Sequence, residues 1–350
     1  MDLQELFKIA IEKNASDIHL VPGYNPSLRI NGQLYLLKAY PVIDPEMNQK
    51  ALLPILTDEQ KGNLMANKEI DFGLQHGDMR FRVNMYYMKG AIAAAFRLIT
   101  SRIRSLEELG LPDIMHTFTK LRQGFILITG PTGEGKSTSL AAVVQRINEE
   151  DARHILTIED PIEYVYPLGK SLISQRELNQ DTHSWTVALK SALREDPDVV
   201  LVGEMRDYET IQAAMTIAET GHLVFSTLHT NSVPQTIDRI VDVFPPQQQN
   251  QIRIQLASSL RAIVSQRLLP NIDGTGRIAA CEILVNNPAV ASTIRDGKTH
   301  MIENILETST DQGMITMERA LSNLYAQGKI TKETAINYAI RPQQIHKYIT

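Results

Sequence analysis

The chain has 350 residues, 43% of them hydrophobic, with a single cysteine and a formal net charge of −5. A chain this long can bury a large core and is expected to form two domains, and one cysteine excludes a disulfide framework or a cysteine zinc cluster. The negative charge disfavours a free-standing nucleic-acid binder, which is usually more basic. Neither a signal peptide nor a run of roughly 18 apolar residues is present, so we expect a soluble, cytoplasmic protein.

The first hundred residues predict a small α+β sheet domain. A helix opens it over MDLQELFKIAIEKNASD, and a second helix is predicted around TDEQKGNLMANK. Alternating apolar and polar residues predict strands over SDIHLVP, SLRINGQLYLL, IDFGLQ, MRFRVNMYYM and AIAAAFRLI. The pair Asn31–Gly32 is a typical hairpin turn within the second of these segments. Residues 101–115 are predicted to be a linker, with a helix beginning near Pro112.

From Gly124 the pattern changes to strands that alternate with helices. Strands are predicted over FILITG, HILTIED, DVVLVGE and HLVFSTL, and helices over STSLAAVVQRINEE, WTVALKSALRE and YETIQAAMTIAET. This spacing is typical of a mostly parallel sheet covered by helices on both faces. Beyond Thr230 we expect helices from Val233 to Leu269 and from Ala289 to the end, interrupted by a short strand or hairpin over GRIAACEILV.

A glycine-rich turn follows the strand FILITG and matches the phosphate-loop pattern G-x-x-x-x-G-K-[ST]. The predicted nucleotide-binding residues are Gly130, Pro131, Thr132, Gly133, Glu134, Gly135, Lys136, Ser137 and Thr138. The glycines let backbone N–H groups turn toward phosphates, Lys136 supplies a cation, and Ser137 offers its hydroxyl to Mg²⁺. The next helix points its positive end at the same anions. An acidic side chain beside phosphates is unfavourable, so Glu134 is expected to point to solvent.

Hydrolysis needs a carboxylate that orients or deprotonates water at the γ-phosphate. Glu204 ends the apolar run VVLV-G, which places it at the carboxyl edge of the sheet, where ligands of open α/β sheets bind. A second acidic group, Glu159, Asp160 and Glu163, follows the strand HILTIED and could position Mg²⁺-bound water or the nucleophile. The structural alternative for Glu204 is a solvated glutamate. For the second acidic group it is an acid-rich helix start at Pro161.

Two histidines flank the last predicted strand of the sheet, His222 before it and His229 after it, with Thr227 and Thr230 beside the second. A polar residue at the end of such a strand can sense the γ-phosphate and report its loss. A purely structural role is the alternative, and neither histidine has the spacing of a zinc ligand.

Four segments carry a family resemblance, in the order GPTGEGKST, TIEDPIE, ALREDPDVVLVGEMRD and AETGHLVFSTLHT. They are similar to the Walker A, Asp box, Walker B and His box of the secretion ATPase superfamily. Within it, the chain resembles the type IV pilus retraction motors, from ASDIHL and SLRINGQL through TIDRIVDVFPP and SQRLLP. The resemblance covers nearly the whole chain. Where related motors have GSGKS, this chain has GEGKS, and their AIRNLIRE-type segment corresponds to AVASTIRDGK.

The resemblance implies a PAS-like α+β domain over residues 1–100, a linker over 101–115, and a RecA-like ATPase domain with a helical carboxyl-terminal part over 116–350. It also implies a homohexameric ring that uses ATP and Mg²⁺ to power pilus retraction and twitching motility. Such a ring works in the cytoplasm at the inner-membrane base of the pilus machine. It acts on an inner-membrane platform protein, reaches the membrane only through partners, and contacts no nucleic acid directly.

By the same resemblance, Glu204 is the Walker B catalytic glutamate and Glu163 is the Asp-box carboxylate. His222 and His229 belong to the His box.

The segment RFRVNMYYMKGAIAAAFR matches the one whose arginines reach nucleotide from the amino-terminal domain. Arg82 and Arg97 are the main candidates for that role, and Arg80 is a weaker one. The alternative is that Arg82 and Arg97 pair with Asp71 or Asp78 inside the small domain.

Other functions fit the chain less well. A P-loop GTPase would need an N-K-x-D guanine reader downstream of the loop, and the pair Asn67–Lys68 lies upstream without the Asp. Pilus extension motors and type II secretion ATPases usually carry a further amino-terminal domain and a four-cysteine zinc module. A hexameric DNA translocase or helicase is expected to have a basic or aromatic stripe, and aromatic residues are only 6% of this chain. A non-hydrolysing, ATP-binding regulator is the remaining alternative.

Overall fold

The structure is a computed structural model that describes residues 2–30, 32–77, 79–99, 102–274 and 276–349. The chain divides into two compact units. One comprises Met1–Arg102 and Pro161–Val165, and the other comprises Ile103–Asp160 and Tyr166–Thr350. Among the described residues, no helix combines the length and the apolar character needed to cross a membrane.

The first unit is built on an antiparallel sheet. Its strands are β1 (Asp17–Leu20), β2 (Ser27–Ile30), β3 (Gln33–Leu36), β4 (Glu69–His76), β5 (Met79–Met88) and β6 (Ala91–Ile99). They lie in the order β3-β2-β1-β6-β5-β4. The helices are α1 (Leu3–Glu12), α2 (Pro45–Leu52) and α3 (Asp58–Asn67), with a 3₁₀ turn over Leu53–Ile55. The predicted strand segments are confirmed, and α2 was not predicted.

Apolar residues that alternate along the strands give this unit its core. Phe7 of α1 stacks on Phe81 of β5 at 4.4 Å between ring centroids and meets the edge of Phe96 of β6 at 5.3 Å. The antiparallel pairing of β2 with β3 fits the predicted hairpin, in which Gly32 has a φ of 82°. Asn31 of that hairpin lies outside the described residues.

The second unit contains a larger, mostly parallel sheet. Its strands are β7 (Gly124–Thr129), β8 (His154–Glu159), β9 (Leu172–Glu177), β10 (Val199–Val202), β11 (Leu223–Leu228), β12 (Leu260–Pro270) and β13 (Arg277–Val285). Their order is β13-β12-β7-β11-β10-β8-β9, and β13 is antiparallel to its neighbour.

Helices cover this sheet and continue to the carboxyl terminus. They are α4 (Met115–Thr119), α5 (Lys136–Glu150), α6 (Trp185–Ala192), α7 (Tyr208–Glu219), α8 (Val233–Asp242), α9 (Pro246–Ser259), α10 (Pro288–Arg295), α11 (Ile302–Thr308), α12 (Met317–Ala326), α13 (Lys332–Tyr338) and α14 (Pro342–Ile345), with 3₁₀ turns over Thr299–Met301 and Thr310–Gln312. Phe125 and Leu127 of β7 join a core with α6–α9, and Ile126 and Ile128 join another with α4 and α5. The predicted α/β sheet with two covered faces is therefore confirmed.

One part of the sequence-based prediction for this unit is wrong, and one strand was missed. The segment from Val233 to Leu269 is helical only as far as Ser259, because β12 begins at Leu260. This strand pairs with β7 on one side and β13 on the other. Its backbone N–H and C=O groups therefore form their hydrogen bonds in the sheet rather than in a helix. The edge strand β9 was not predicted, since only Leu172 and Ile173 of its six residues are apolar.

The parallel register brings the carboxyl ends of three strands together. Thr129 of β7 is level with Leu228 of β11, and Ser226 of β11 is level with Val202 of β10. The residues that follow these strands therefore meet at one edge of the sheet.

Candidate nucleotide-binding and hydrolysis site

The phosphate loop joins the buried strand β7 to helix α5. Two of its positions require glycine, each for a different structural reason. Gly130 has a φ of 147°, and a Cβ atom there would lie 2.5 Å from the carbonyl oxygen of Gln266. Gly135 is the N-cap of α5 and has a φ of 76°, a conformation that side chains disfavour. The loop can therefore pass close to β12 and turn directly into the helix.

Lys136 is the first residue of α5 and is 7% exposed. Its ammonium donates hydrogen bonds to the carbonyl oxygens of Gly130 and Pro131, both at 2.8 Å. The positive end of α5 lies at the same place, since the first N–H groups of a helix have no partner within it. Loop, lysine and helix start together form a site suited to a polyphosphate.

Glu204 lies after β10 at the same edge of the sheet, and its side chain is 18% exposed. Its Oε1 is 2.7 Å from Nη2 of Arg206, and its Oε2 is 3.5 Å from Nε2 of His229. The remaining exposure leaves the carboxylate accessible to water, as a general base requires. Arg206 was not predicted as a site residue.

His229 connects the phosphate loop to Glu204. Its Nδ1 is 3.4 Å from Oγ1 of Thr132 and 3.5 Å from Nζ of Lys136, while Nε2 faces Glu204. Burial, followed by the Lys136 ammonium, lowers the pKa of His229; the Glu204 carboxylate acts in the opposite direction, and Arg206 adds a small further lowering. A neutral imidazole can accept a proton or hydrogen bond on one nitrogen while it donates on the other.

Two threonines fix the backbone around this histidine. The hydroxyl of Thr227 donates to the carbonyl oxygen of Gly203 at 2.7 Å, which ties the end of β11 to the residue before Glu204. The hydroxyls of Thr230 and Thr236 lie 2.7 Å apart, which ties the following loop to α8. The threonines thus support the positions of Glu204 and His229.

His222 lies at the other end of β11. Its Nδ1 is 3.0 Å from the carbonyl oxygen of Ile217 and 3.1 Å from the hydroxyl of Thr220, at the carboxyl end of α7. Six strand residues separate it from His229, a span of roughly 20 Å. Within one chain the two histidines do not share a site, and the role of His222 stays a prediction.

The predicted acidic group is spread over two environments. Glu159, at the end of β8, is 9% exposed and accepts hydrogen bonds from Thr157 at 2.8 Å and Gln175 at 3.2 Å. Glu163 lies in the segment Pro161–Val165, which belongs to the first unit. The catalytic role of Glu163 stays a prediction.

The candidate arginines belong to the first unit. Arg82 and Arg97 are direct partners across β5 and β6, so they lie on the same face of the sheet. Arg82 donates to Oδ2 of Asp71 at 2.6 and 3.0 Å and to Oδ1 at 3.2 Å, and Arg97 donates to Asp17 at 2.9 Å. The alternative of carboxylate pairing thus holds for Arg82 with Asp71. Asp78 lies outside the described residues.

Arg80, the weaker candidate, lies on β5 at the position paired with Ile99. Its Nε donates to the carbonyl oxygen of Ile162 at 3.3 Å, next to Glu163. Arg80 is therefore hydrogen-bonded to the part of the Asp box that belongs to the same unit.

Glu134 does not point to solvent, and that expectation is wrong. Its side chain is 17% exposed, and its carboxylate accepts a hydrogen bond from the backbone N–H of Leu268. Nη1 of Arg267 is 4.0 Å from its other oxygen. These partners neutralise a charge that would otherwise be unfavourable beside phosphates.

Sequence reasoning also missed Gln266, which is 1% exposed. Its Oε1 accepts from Ser139 of α5 at 2.8 Å, and its Nε2 donates to the carbonyl oxygen of Glu134 at 2.6 Å. The segment was predicted to be helical, so no pattern placed this glutamine beside the loop.

The donor set fits Mg²⁺ held together with a nucleotide. Among the described residues, no group of three or more His, Cys, Asp or Glu side chains forms a metal site by itself. Mg²⁺ in nucleotide sites is bound by substrate phosphates, water and few protein oxygens, and Ser137 supplies a hydroxyl in the first turn of α5.

Comparisons with known proteins show which family the chain belongs to. Residues 1–346 match the family model described as type II/IV secretion system protein. The chain is 42% identical to the type IV pilus retractation ATPase PilT of Pseudomonas aeruginosa over 344 residues, 98% of this chain and 99% of the other. It is 48% identical to a twitching motility protein of Neisseria gonorrhoeae over 311 residues, 89% and 83% of the two chains. The fold matches the crystal structure of the pilus retraction motor PilT with bound ADP, with a TM-score of 0.92, 45% identity and 99% of each chain covered.

Proposed function

The chain belongs to the type II/IV secretion system protein family and is a P-loop ATPase, and from this premise we propose that it powers the retraction of type IV pili. One observation carries the proposal. A pilus retractation ATPase matches this chain over nearly the full length of both proteins. The phosphate loop, Glu204 and His229 supply the chemistry that such a motor needs at one edge of its sheet.

ATP binds with its phosphates in the loop from Gly130 to Thr138. The loop N–H groups, the positive end of α5 and Lys136 hold the β- and γ-phosphates. Ser137 would hold Mg²⁺, which supplies charge neutralisation on the β- and γ-oxygens when bound. Glu204 orients water for attack on the γ-phosphate and accepts its proton.

His229 is the γ-phosphate sensor in this proposal. It lies between Thr132 and Lys136 on the loop and Glu204 after β10. A change in charge at the loop alters the hydrogen bonds of this imidazole and, through it, the position of Glu204. The change that hydrolysis causes at His229 can therefore be transmitted through β11 to the helices that follow this strand.

The motor acts as a homohexamer in the cytoplasm, at the inner-membrane base of the pilus. Arg82 and Arg97 of one subunit reach the nucleotide of its neighbour, and Glu163 contributes as the Asp-box carboxylate. The ring acts on an inner-membrane platform protein, contacts the membrane only through partners, and uses no nucleic acid.

The test is the phenotype of cells that lack the gene. We expect hyperpiliated cells that do not twitch, with recovery by the wild-type gene but not by a Glu204→Gln gene expressed at the same level. Cells without pili would instead indicate an extension motor. Purified protein should hydrolyse ATP at the same rate with and without single-stranded DNA, whereas stimulation by DNA would favour a translocase.

A further inference from the structure

Strand β12 extends beyond its neighbour β7. The last paired residues are Ser265 and Thr129, while β12 continues to Pro270 and remains paired with β13 on its other side. On the β7 side, the structure therefore describes no strand beside the β12 backbone after Ser265, where the phosphate loop begins. An unpaired strand edge needs other hydrogen-bond partners.

The phosphate loop takes the place of that missing strand. The Leu268 N–H donates to the Glu134 carboxylate, and the side chain of Gln266 donates to the Glu134 carbonyl oxygen. The absence of a Cβ atom on Gly130 lets the loop lie against the Gln266 carbonyl group. One loop residue, Glu134, thus contacts β12 with both its backbone and its side chain.

Arg267 extends this contact toward His229. Its guanidinium is 4.0 Å from the Glu134 carboxylate, and Nη2 donates to the side-chain oxygen of Asn231 at 3.1 Å. Asn231 follows His229 by two residues. The Arg267 side chain is 15% exposed, so solvent screens these contacts less than it would on an open surface.

We propose that Glu134 and Arg267 are positioning residues that hold the phosphate loop on the end of β12 and join it to the loop that carries His229. A phosphate loop brings several N–H dipoles to one point, and this arrangement is costly unless the rest of the fold holds it. Fixing the loop before the nucleotide arrives lowers the cost of ordering it on binding. This inference rests on the proposed nucleotide site and adds to it the residues that keep the loop in shape.

The direction in which the Kd for MgADP changes distinguishes this positioning role from a direct effect of the Glu134 charge on the nucleotide. A carboxylate that acted on the nucleotide only through its charge would repel the phosphates, so its removal would tighten binding. Under our proposal, Glu134→Ala raises the Kd for MgADP about tenfold, as expected for the loss of a charge-assisted hydrogen bond. Glu134→Gln keeps an acceptor for Leu268 N–H and raises the Kd less, by about threefold.

The experiment is calorimetric titration of the full chain with MgADP. It compares wild type, Glu134→Ala, Glu134→Gln, Arg267→Gln and the Glu134→Gln/Arg267→Gln double variant. Because the two side chains act together, the double variant should raise the Kd by less than the product of the single effects. The KM for ATP should rise with the Kd, while kcat changes by less than about threefold. Glu149→Gln is the matched control, since it removes one exposed carboxylate from α5 and leaves the loop intact.

Wild-type affinity in the Glu134 variants would overturn the inference, as would tighter binding or multiplicative effects in the double variant. A lower melting temperature with unchanged Kd would mark the pair as stabilising only. If Glu134→Ala does not fold, Glu134→Gln and the double variant decide the matter. Failure of the wild-type chain to bind MgADP would remove the proposed nucleotide site as well, so the two failures are distinguishable.

Discussion

Arg341, immediately before α14, is surrounded by carboxylates from three other elements. Its Nε is 2.9 Å from Glu303 of α11, its Nη1 is 3.1 Å from Glu318 of α12, and its Nη2 is 3.7 Å from Glu282 of β13. The side chains of Glu282 and Glu318 are fully buried. One guanidinium therefore compensates two fully buried carboxylates and a third, that of Glu303, which is 27% exposed.

Replacing Arg341 with Met should destabilise the second unit strongly. Methionine keeps an apolar stem of similar length, so the change removes the charge and its hydrogen bonds with little loss of packing. Removing one partner of a buried ion pair costs about 3–5 kcal/mol, because it leaves a buried charge uncompensated. We expect the free energy of unfolding to fall by about that amount. Urea unfolding can be followed by the fluorescence of Trp185, the single tryptophan, which lies on α6 of the same unit.

Lys298→Met is the matched control, since Lys298 pairs with Asp296 at 3.1 Å where both side chains are about half exposed. An exposed pair of this kind contributes about 0–1 kcal/mol. Equal losses for the two variants would refute the reasoning, because they would mean that the buried carboxylates do not depend on Arg341.

The remaining predictions concern the catalytic site and a buried acid. Glu204→Gln should bind ATP almost as wild type while turnover falls by roughly two to four orders of magnitude; a rate one third of wild type would exclude Glu204 as the base. His229→Ala should lose part of the preference for ATP over ADP, and an unchanged preference in calorimetry would make His229 structural. Arg82→Ala hexamers should be nearly inactive, since an arginine finger can be worth ~10³–10⁵ in rate. Mixing them with Lys136→Ala subunits should restore part of the activity, and mixed rings that stay inactive would contradict a finger acting between subunits. Burial raises the pKa of Glu282 above its ordinary 4.5, so its stabilising contribution is complete at low pH and is lost as pH rises through the raised value. Glu282→Gln should remove that pH dependence in urea unfolding, and a pH profile that matches wild type would contradict it.

The local motifs were predictable because each depends on residues that are close in sequence. The phosphate loop follows a buried strand and starts a helix, and Glu204 and His229 each follow a buried strand. In a parallel sheet, strand ends on the same edge are neighbours, so the sequence pattern implies that these residues meet. His222 shows the limit of this reasoning, since a residue before a strand lies at the opposite edge.

Features that depend on distant pairing were not predictable. The segment LRAIVSQRLLP of β12 is compatible with a buried helix or a buried strand, and periodicity alone does not separate them. Its partners are β7, more than a hundred positions earlier, and β13. The role of Glu134 has the same origin, because its partner Leu268 lies 134 positions away.

The two candidate arginines differ in how strongly their carboxylate partners depend on them. Arg82 and Asp71 are both partly exposed, at 41% and 37%, and such a pair is worth about 0–1 kcal/mol. Arg97 pairs with Asp17, which is only 10% exposed and has Arg29 at 3.8 Å as its other cation. Withdrawing Arg97 would leave a largely buried carboxylate with the Ser16 hydroxyl at 2.8 Å and the more distant Arg29, whereas Arg82 can leave Asp71 at little cost. Pairing within the first unit is therefore compatible with Arg82 as the finger, and it makes Arg97 the more costly of the two to release from its carboxylate.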